Sequence, residues 1–427
     1  MRSQFKYKRA LIVLNCLQSN ASYLKNCSNR KKSNIDMITY LRRIQLPISE
    51  IKKMKTIHIA GTKGKGSTAI YCQQLLVKLG YRTSLFSSPH LYDVCERIRI
   101  NGANISKDRF SILVDHLYQL LMKTDSEKMP SYFEFLTLMA LYINCTENID
   151  YSILEVGIGG KFDSTNVPTN KQVCGITNLD YDHTEILGGD LKSITNQKLG
   201  ILRPSVPTVI GYGQSSISLN QIKTVANKLN SQVYFVTKSH IQEMLKKHPN
   251  VDSLVKIINF SHAQLICQIL TKTNSQFVLE NIDIDARFQI LRRKNVVFYI
   301  DGAHTSLSLN YVQNWFLSNS TSKCKILVFY LTGNRNPSNL LKNLQKIDFD
   351  YKFIVAPIGR NHYTHDTANY GTCIGINHIQ TKTGPNFIYF NSIHNLMKTI
   401  NLIKKISKID VLITGSIKLT GAFLSYI

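Results

Sequence analysis

Ile57-His-Ile-Ala-Gly-Thr-Lys-Gly-Lys-Gly-Ser-Thr68 is the stretch from which the rest of the chain can be understood. A short apolar strand runs into a glycine-rich turn carrying Lys65, and Ser67 and Thr68 are expected to open an amphipathic helix. In that arrangement the backbone N–H groups of the turn and of the helix start converge on an anion, and the lysine adds positive charge. The common phosphate-binding pattern is G-x-x-x-x-G-K-[ST]. Here Gly66 separates Lys65 from Ser67, so the stretch is a variant of it. A glycine-rich turn alone is weak evidence; the strand before it and the helix after it give it weight.

Outward from the loop the chain alternates between β and α patterns. Short runs rich in β-branched residues predict strands at 56–60, 82–86, 151–156, 173–177 and 207–210, with helical patterns between them. Ahead of the loop, residues 10–18 and 35–43 suggest helices joined by the polar, basic stretch 26–33. Residues 133–144 are apolar almost all round, which predicts a buried helix. A helix near 260–272 precedes a polar, charged passage suited to a hinge. A second alternation follows, with strands near 296–300, 325–330, 351–356, 386–390 and 409–414. The expected fold class is α/β, with a mainly parallel sheet flanked by helices in residues 1–282, a hinge at 283–295 and a smaller α/β domain in 296–427. Ligands of such sheets gather at the C-terminal ends of the strands.

Composition narrows the classes. At 427 residues with 43% apolar side chains, the chain can build two cores. Nine cysteines without a C-x-x-C pair point to a reducing compartment and away from a disulfide framework or a zinc site. No apolar run reaches the roughly 18 residues of a membrane span. The net charge of +25 admits nucleic-acid binding, steering of polyanionic small substrates, or compositional drift. The charge is spread along the chain with no dense Lys/Arg block interleaved with aromatics, which favours drift over a phosphate-loop nucleic-acid-binding protein. No acidic residue precedes Asp36, as in a mitochondrial presequence. The helix beginning near Ala10 leaves too few residues for the roughly 15–30 of a targeting segment. A cytosolic protein is expected, with a mitochondrial pool left open.

Four clusters follow predicted strands. The first is the phosphate loop. The second, Phe86-Ser-Ser-Pro-His-Leu91, offers Ser88 as a hydroxyl ligand for Mg²⁺, or is an ordinary Ser-Pro turn. In the third, Leu154-Glu-Val-Gly-Ile-Gly-Gly-Lys-Phe-Asp163, Glu155 ends an apolar strand, where a carboxylate is costly unless it is paired or on a metal. Its alternative is to cap the next turn. The fourth, Thr177-Asn-Leu-Asp-Tyr-Asp-His-Thr-Glu185, crowds Asp180, Asp182, His183 and Glu185 together. One or two of these would face a cation or phosphate, and His183 is either a ligand or structural. Lys198 lies about a turn inside the end of the next predicted helix. In the second domain Asp301 either accepts from a nucleotide or caps the following helix, and Arg287 either reaches a phosphate or is solvated. The residues themselves lead as far as an Mg-nucleotide enzyme with a second domain closing over the site.

At these residues the chain resembles the folylpolyglutamate synthases, a branch of the Mur-ligase-like family of ATP-dependent amide ligases. The blocks that match, in order, are Leu17-Gln-Ser-Asn20, Gly61-Thr-Lys-Gly-Lys-Gly-Ser67, Ser88-Pro-His-Leu91 with Glu96-Arg-Ile98, and Tyr132-Phe-Glu-Phe-Leu-Thr137. They continue with Glu155-Val-Gly-Ile-Gly-Gly-Lys-Phe-Asp163, Asp182-His183 with Leu187-Gly188, Asp301-Gly-Ala-His-Thr305, Leu331-Thr-Gly333 and Thr414-Gly-Ser416. The match spans nearly the whole chain.

The resemblance implies that ATP phosphorylates the γ-carboxylate of a reduced folate and that the amine of L-glutamate attacks the acyl phosphate. It implies ATP contacts from Gly61, Thr62, Gly64, Lys65, Gly66, Ser67, Arg287 and Asp301, and Mg²⁺ held by Ser88, Glu155 and His183. It gives catalytic parts to Lys65, to a carbamylated Lys198 and to His304, and substrate contacts to Phe133, Asp163 and Arg97. A monovalent cation is a further implied cofactor. The C-terminal domain would be Rossmann-like, bind glutamate and close over ATP. A monomer that needs neither nucleic acid nor membrane is expected. Three positions depart from the family pattern: Lys161 stands where Arg is common, Leu199 where Ala is usual, and His262 where an adenine-contacting Asn is expected. The Leu17–Asn20 block resembles eukaryotic polyglutamylating members and favours that activity over dihydrofolate synthase.

Overall fold

β1 (Thr56–Ala60) is buried along its whole length, as a β-branched run must be when both faces of a parallel strand are covered. Its sheet also contains β2 (Thr83–Phe86), β3 (Ile98–Ile100), β4 (Ala103–Asn104), β5 (Tyr151–Glu155), β6 (Lys171–Ile176), β7 (Thr208–Ile210) and β8 (Val233–Phe235). The computed structural model describes residues 2–17, 33–273, 279, 284–332, 337–355 and 387–427. The strand order is β4-β3-β2-β5-β1-β6-β7-β8. β1 pairs in parallel with β5 and β6, with Ile57 opposite both Ile153 and Val173. β2 pairs in parallel with β5, and β7 with β6 and β8. β3 and β4 turn back antiparallel at one edge. The chain leaves β1 toward β2 on one side, while β6 to β8 lie on the other. The loops after β1 and β5 therefore open at the switch in strand order, where doubly wound sheets bind ligands.

The helix after the phosphate loop runs Lys65–Lys78, two residues earlier than expected. It is not amphipathic: every residue from Ser67 to Gln73 is buried. Its outer side is covered by the helix Leu254–Thr271, where Phe260 meets Tyr71 edge-on at 5.5 Å. Leu254–Thr271 is also long and apolar enough to cross a membrane by length and composition, although Lys256, Asn259 and His262 interrupt its apolar run. Here Phe260, Ala263, Ile266 and Cys267 belong to the core. The helix Tyr132–Thr146 is buried from Tyr132 through Leu141, as its composition predicts, and starts at a capping box between Ser131 and Glu134.

By its contacts the chain divides into two compact units, Met1–His90 with Val94–Val251 and Lys256–Glu280, and Leu91–Asp93 with Asp252–Val255 and Asn281–Ile427. The second unit has its own sheet, made of β9 (Gln289–Arg293), β10 (Val296–Ile300), β11 (Cys324–Phe329), β12 (Tyr351–Val355), β13 (Ile388–Phe390) and β14 (Ile409–Thr414). Its order is β13-β12-β11-β14-β10-β9, parallel except for β9. Tyr299, Trp315, Phe316, Phe329 and Phe353 fill its core.

Within the passage expected as a hinge at 283–295 lies β9, paired antiparallel with β10. Arg292 and Arg293 give it a charged look because β9 is an edge strand with a solvated end. The boundary expected at 282/283 lies outside the described residues at 282 and 283. So do Gln18–Asn20, Gly333, most of the polar connection 26–33, and the expected strand ends at 356 and 386.

Candidate active site

Gly64 caps the helix Lys65–Lys78 with φ +86°, in the left-handed region that glycine adopts without strain. A Cβ there would stand 2.3 Å from Asn259 Oδ1, so the loop passes directly beneath that amide. The loop is tied to the segment after β6. Thr62 N donates to Asn178 O at 2.7 Å, Thr62 Oγ1 donates to Asp180 O, and Asp180 N donates back to Thr62 Oγ1. Lys63 pairs with Asp182 at 3.2 Å. Lys65 curls over its own loop, its Nζ 3.1 Å from Gly61 O. Ser67 lies buried in the first turn of the helix. The fourth cluster of the sequence is thus partly a buttress: Asp182 and the backbone of Asp180 hold the loop.

Glu155 ends β5 with its side chain buried. Its Oε2 accepts from Ser88 N at 2.9 Å, across to the loop after β2, so it does not simply cap its own turn. Both its oxygens lie 3.4 Å from where a Cβ of Gly66 would sit. Strand ends β1, β2 and β5 thereby bring Gly66, Ser88 and Glu155 to one place. His183 takes the cap position of the short helix Thr184–Leu187 with φ +52°, and its Nε2 stands 4.0 Å from Asp182 Oδ1. Among the described residues no group of three or more His, Cys, Asp or Glu side chains is placed to hold a metal. The structure unites Glu155 with Ser88 and leaves His183 on the Asp182 turn. A buried carboxylate beside a phosphate loop is a hard-oxygen donor of the kind Mg²⁺ takes, whereas the contact shown for Ser88 is its backbone N–H.

Lys198 is the penultimate residue of the helix Leu191–Leu199, not a turn inside it. The residue is buried, 3% exposed, and Nζ donates to Gly61 O at 2.8 Å. Burial, and then the neighbouring Lys65 and Lys63, push the amine down to about 7. Burial thus favours the neutral form of this amine relative to a lysine in water.

Phe133 packs its ring on Phe86 at 5.5 Å and over Gly157, where a Cβ would be 2.7 Å from the ring edge. Asp163 is engaged inside its own loop: Oδ1 accepts from Thr165 N and Thr165 Oγ1, and Oδ2 from Ile158 N at 3.1 Å. Burial raises its carboxyl while these bonds pull it down. Arg97 is buried, donating from Nε to His90 Nδ1 at 2.9 Å with its guanidinium 5.3 Å from the Tyr132 ring centre. The structure thus gives Asp163 and Arg97 positions within the fold.

His262 points to β7, where its Nε2 donates to Val209 O at 3.1 Å, and burial lowers it to about 4. The amide over the phosphate loop is that of Asn259, one turn earlier, which sequence reasoning missed. Its only signal was a polar residue at i−3 from His262 in an otherwise apolar helix.

In the second unit, Asp301 directly follows β10 and accepts from Phe288 N at 2.9 Å and Ala303 N at 2.8 Å. It does not cap the helix Ser306–Asn319; Thr305 does, with Ser308. The Phe288 bond secures the turn around Arg287, whose neighbours Ala286 and Phe288 both have positive φ. His304 Nδ1 lies 2.9 Å from Gly302 O, which makes it the protonated ring nitrogen.

No protein-family model matches the chain. Among curated proteins it is 31% identical over 476 residues to the putative folylpolyglutamate synthase of Caenorhabditis elegans, covering 98% of this chain and 92% of that one. It is 33% identical over 396 residues to the mitochondrial folylpolyglutamate synthase of Bos taurus, covering 81% and 67%. Among solved structures, Mycobacterium tuberculosis folylpolyglutamate synthase complexed with ADP and AMPPCP aligns with a TM-score of 0.75 at 20% identity, over 91% of this chain and 94% of that one. A folylpolyglutamate synthase–AMPPCP–folate complex aligns with a TM-score of 0.76 at 18% identity, over 98% and 99%. At these identities the likeness to solved structures bears on the fold alone.

Proposed function

The chain belongs to the folylpolyglutamate synthase family, and on that premise we propose that it joins L-glutamate to the γ-carboxylate of tetrahydrofolate and its polyglutamates, splitting ATP to ADP through an acyl phosphate. The observation that carries this reading is the convergence of Lys65, Lys198 and Glu155 on one phosphate loop. Such a site serves phosphoryl transfer to a carboxylate. The folate carboxylate attacks the γ-phosphorus of ATP, and ADP leaves. The glutamate amine then attacks the acyl carbon, loses a proton, and expels phosphate as the amide forms.

Lys65 and the loop N–H groups stabilise charge on the transferred phosphoryl group. Ser88 and Glu155 would hold Mg²⁺, with His183 as the third ligand implied by motif position. Bound there, the ion would neutralise phosphate charge. Lys198 would carry a carbamate, since its neutral amine at about pH 7 is the form that captures CO₂. Phe133 would contribute a wall for the aromatic end of the folate, and Asp163 and Arg97 would shape that wall from behind. On motif position we assign Arg287 to the nucleotide and His304 to the phosphates; Asp301 would act by holding the Arg287 turn. We assign no residues to a monovalent cation. A monomeric enzyme in the cytosol, with a mitochondrial pool, completes the proposal; the Bos taurus and Homo sapiens relatives bear names that place them in mitochondria.

The test is ADP release by the purified chain offered ATP, labelled glutamate, and tetrahydrofolate or dihydropteroate in parallel. Glutamate-dependent release with tetrahydrofolate is expected. Release with dihydropteroate alone would make the protein a dihydrofolate synthase, and salt-sensitive single-strand binding without folate-stimulated release would revive the nucleic-acid reading.

A further inference from the structure

Behind the site lies a buried polar side chain that the mechanism above does not use. Asn166, 5% exposed, sits in the short 3₁₀ turn after Asp163. Its amide nitrogen donates to Lys161 O and to Gly200 O, both at 3.1 Å. Its amide oxygen accepts from Lys171 Nζ at 2.6 Å and from Arg203 Nη2 at 2.8 Å. All four hydrogen-bonding positions of the amide are therefore filled.

The two carbonyls it holds belong to different elements. Lys161 closes the glycine loop that follows Glu155, and Gly200 ends the helix that carries Lys198. The two segments touch directly: Lys161 N donates to Gln197 O at 2.8 Å, and a Cβ on Gly160 would stand 2.9 Å from Lys198 O. Only a glycine lets the backbones come this close. Lys171, on β6, also donates to Ile201 O at 2.7 Å, so the clasp is anchored in the sheet.

We propose that Asn166 is a positioning residue for the ligase reaction, clamping the glycine loop after Glu155 to the end of the Lys198 helix so that Lys198 meets Gly61. This inference rests on the function proposed above, but its structural half can be read without activity. Asparagine suits the role because it donates to two carbonyls while accepting from two cations. An aspartate would keep the shape and pair with Lys171 and Arg203, yet could donate to neither carbonyl.

Asn166→Asp is therefore the informative variant, with Asn166→Ala beside it in case one fails to fold. With thermal midpoints near wild type, kcat should fall about 10- to 100-fold while KM for ATP and folate stays within about threefold. Protection of the Lys161 amide against hydrogen exchange should fall about tenfold. Wild-type kcat and unchanged exchange in a folded Asn166→Asp protein would overturn the proposal. So would a loss of kcat that disappears when the assay is run well below the variant's melting range, since that marks a merely structural role. Were wild type itself inactive, the functional reading would fall, and the exchange measurement would still decide whether Asn166 is the clamp.

Discussion

The amine of Lys198 donates a 2.8 Å hydrogen bond to the carbonyl of Gly61, joining the last turn of one helix to the first residue of the phosphate loop. A cation so deeply buried is costly, and the nearby Lys65 adds repulsion. The fold tolerates this because the amine is held by a carbonyl and drawn down to about 7.

The first prediction concerns this lysine. Lys198→Ala should lower turnover by about 100-fold, with no restoration by added bicarbonate. In the uncarbamylated protein, kept free of CO₂, its folded pKa lies below the unfolded value of 10.5, so the unfolded chain binds more protons between those two values. Stability should accordingly rise with pH from about 7 toward 10.5, by up to about 1.4 kcal/mol per pH unit. Below about 7 both states are protonated and the full cost of burial remains. Lys171 is lowered to about 7 in the same way, by burial first, and adds a second such slope. Urea unfolding at pH 7 and 8.5 should show a shallower rise for Lys198→Met than for wild type. Equal slopes would contradict the shift.

Glu155 provides the second. Glu155→Ala should abolish Mg²⁺-dependent turnover while leaving the circular dichroism spectrum intact, because the side chain accepts its bond from Ser88 N in the neighbouring loop. Turnover measured across a Mg²⁺ titration checks this. An unchanged metal dependence would place the ligand elsewhere.

Gly64 provides the third. Gly64→Ala forces a side chain into the left-handed region, at about 1–2 kcal/mol, and drives its Cβ into the Asn259 amide. KM for ATP should rise by about tenfold, the factor that 1.4 kcal/mol represents. Adding Asn259→Ala should return part of that loss, since the overlap is removed. Strict additivity of the two substitutions would show that the amide does not press on the loop.

How far the sequence disclosed all this follows from the range of the forces involved. β1, β2, β5, β6 and β7 were legible because they are short, mostly apolar runs with β-branched residues among them, set between helical patterns. β3, β4 and β8 were not, being two or three residues long at the sheet edges. β9 was not legible as a strand because an edge strand keeps its arginines in water. The glycine loop, Ser88 and Glu155 stood out as local motifs, and the structure brings them together. Asn166 and Asn259 did not stand out, because Gly200, Arg203 and Gly64 lie far from them in sequence and an asparagine carries no periodic signal. Asp163 and Arg97 read as substrate contacts only through the family resemblance, and the hydrogen bonds they make, to Thr165 and His90, are of a kind no local motif announces.

The central claim, that ATP activates the folate carboxylate, is tested most directly by following oxygen. Tetrahydrofolate labelled with ¹⁸O in both γ-carboxylate oxygens is incubated with the protein, ATP and glutamate, and the inorganic phosphate is analysed by mass. An acyl phosphate requires that one labelled oxygen leave with each phosphate while the other stays in the new amide. Phosphate free of ¹⁸O, with glutamate nonetheless incorporated, would contradict the account.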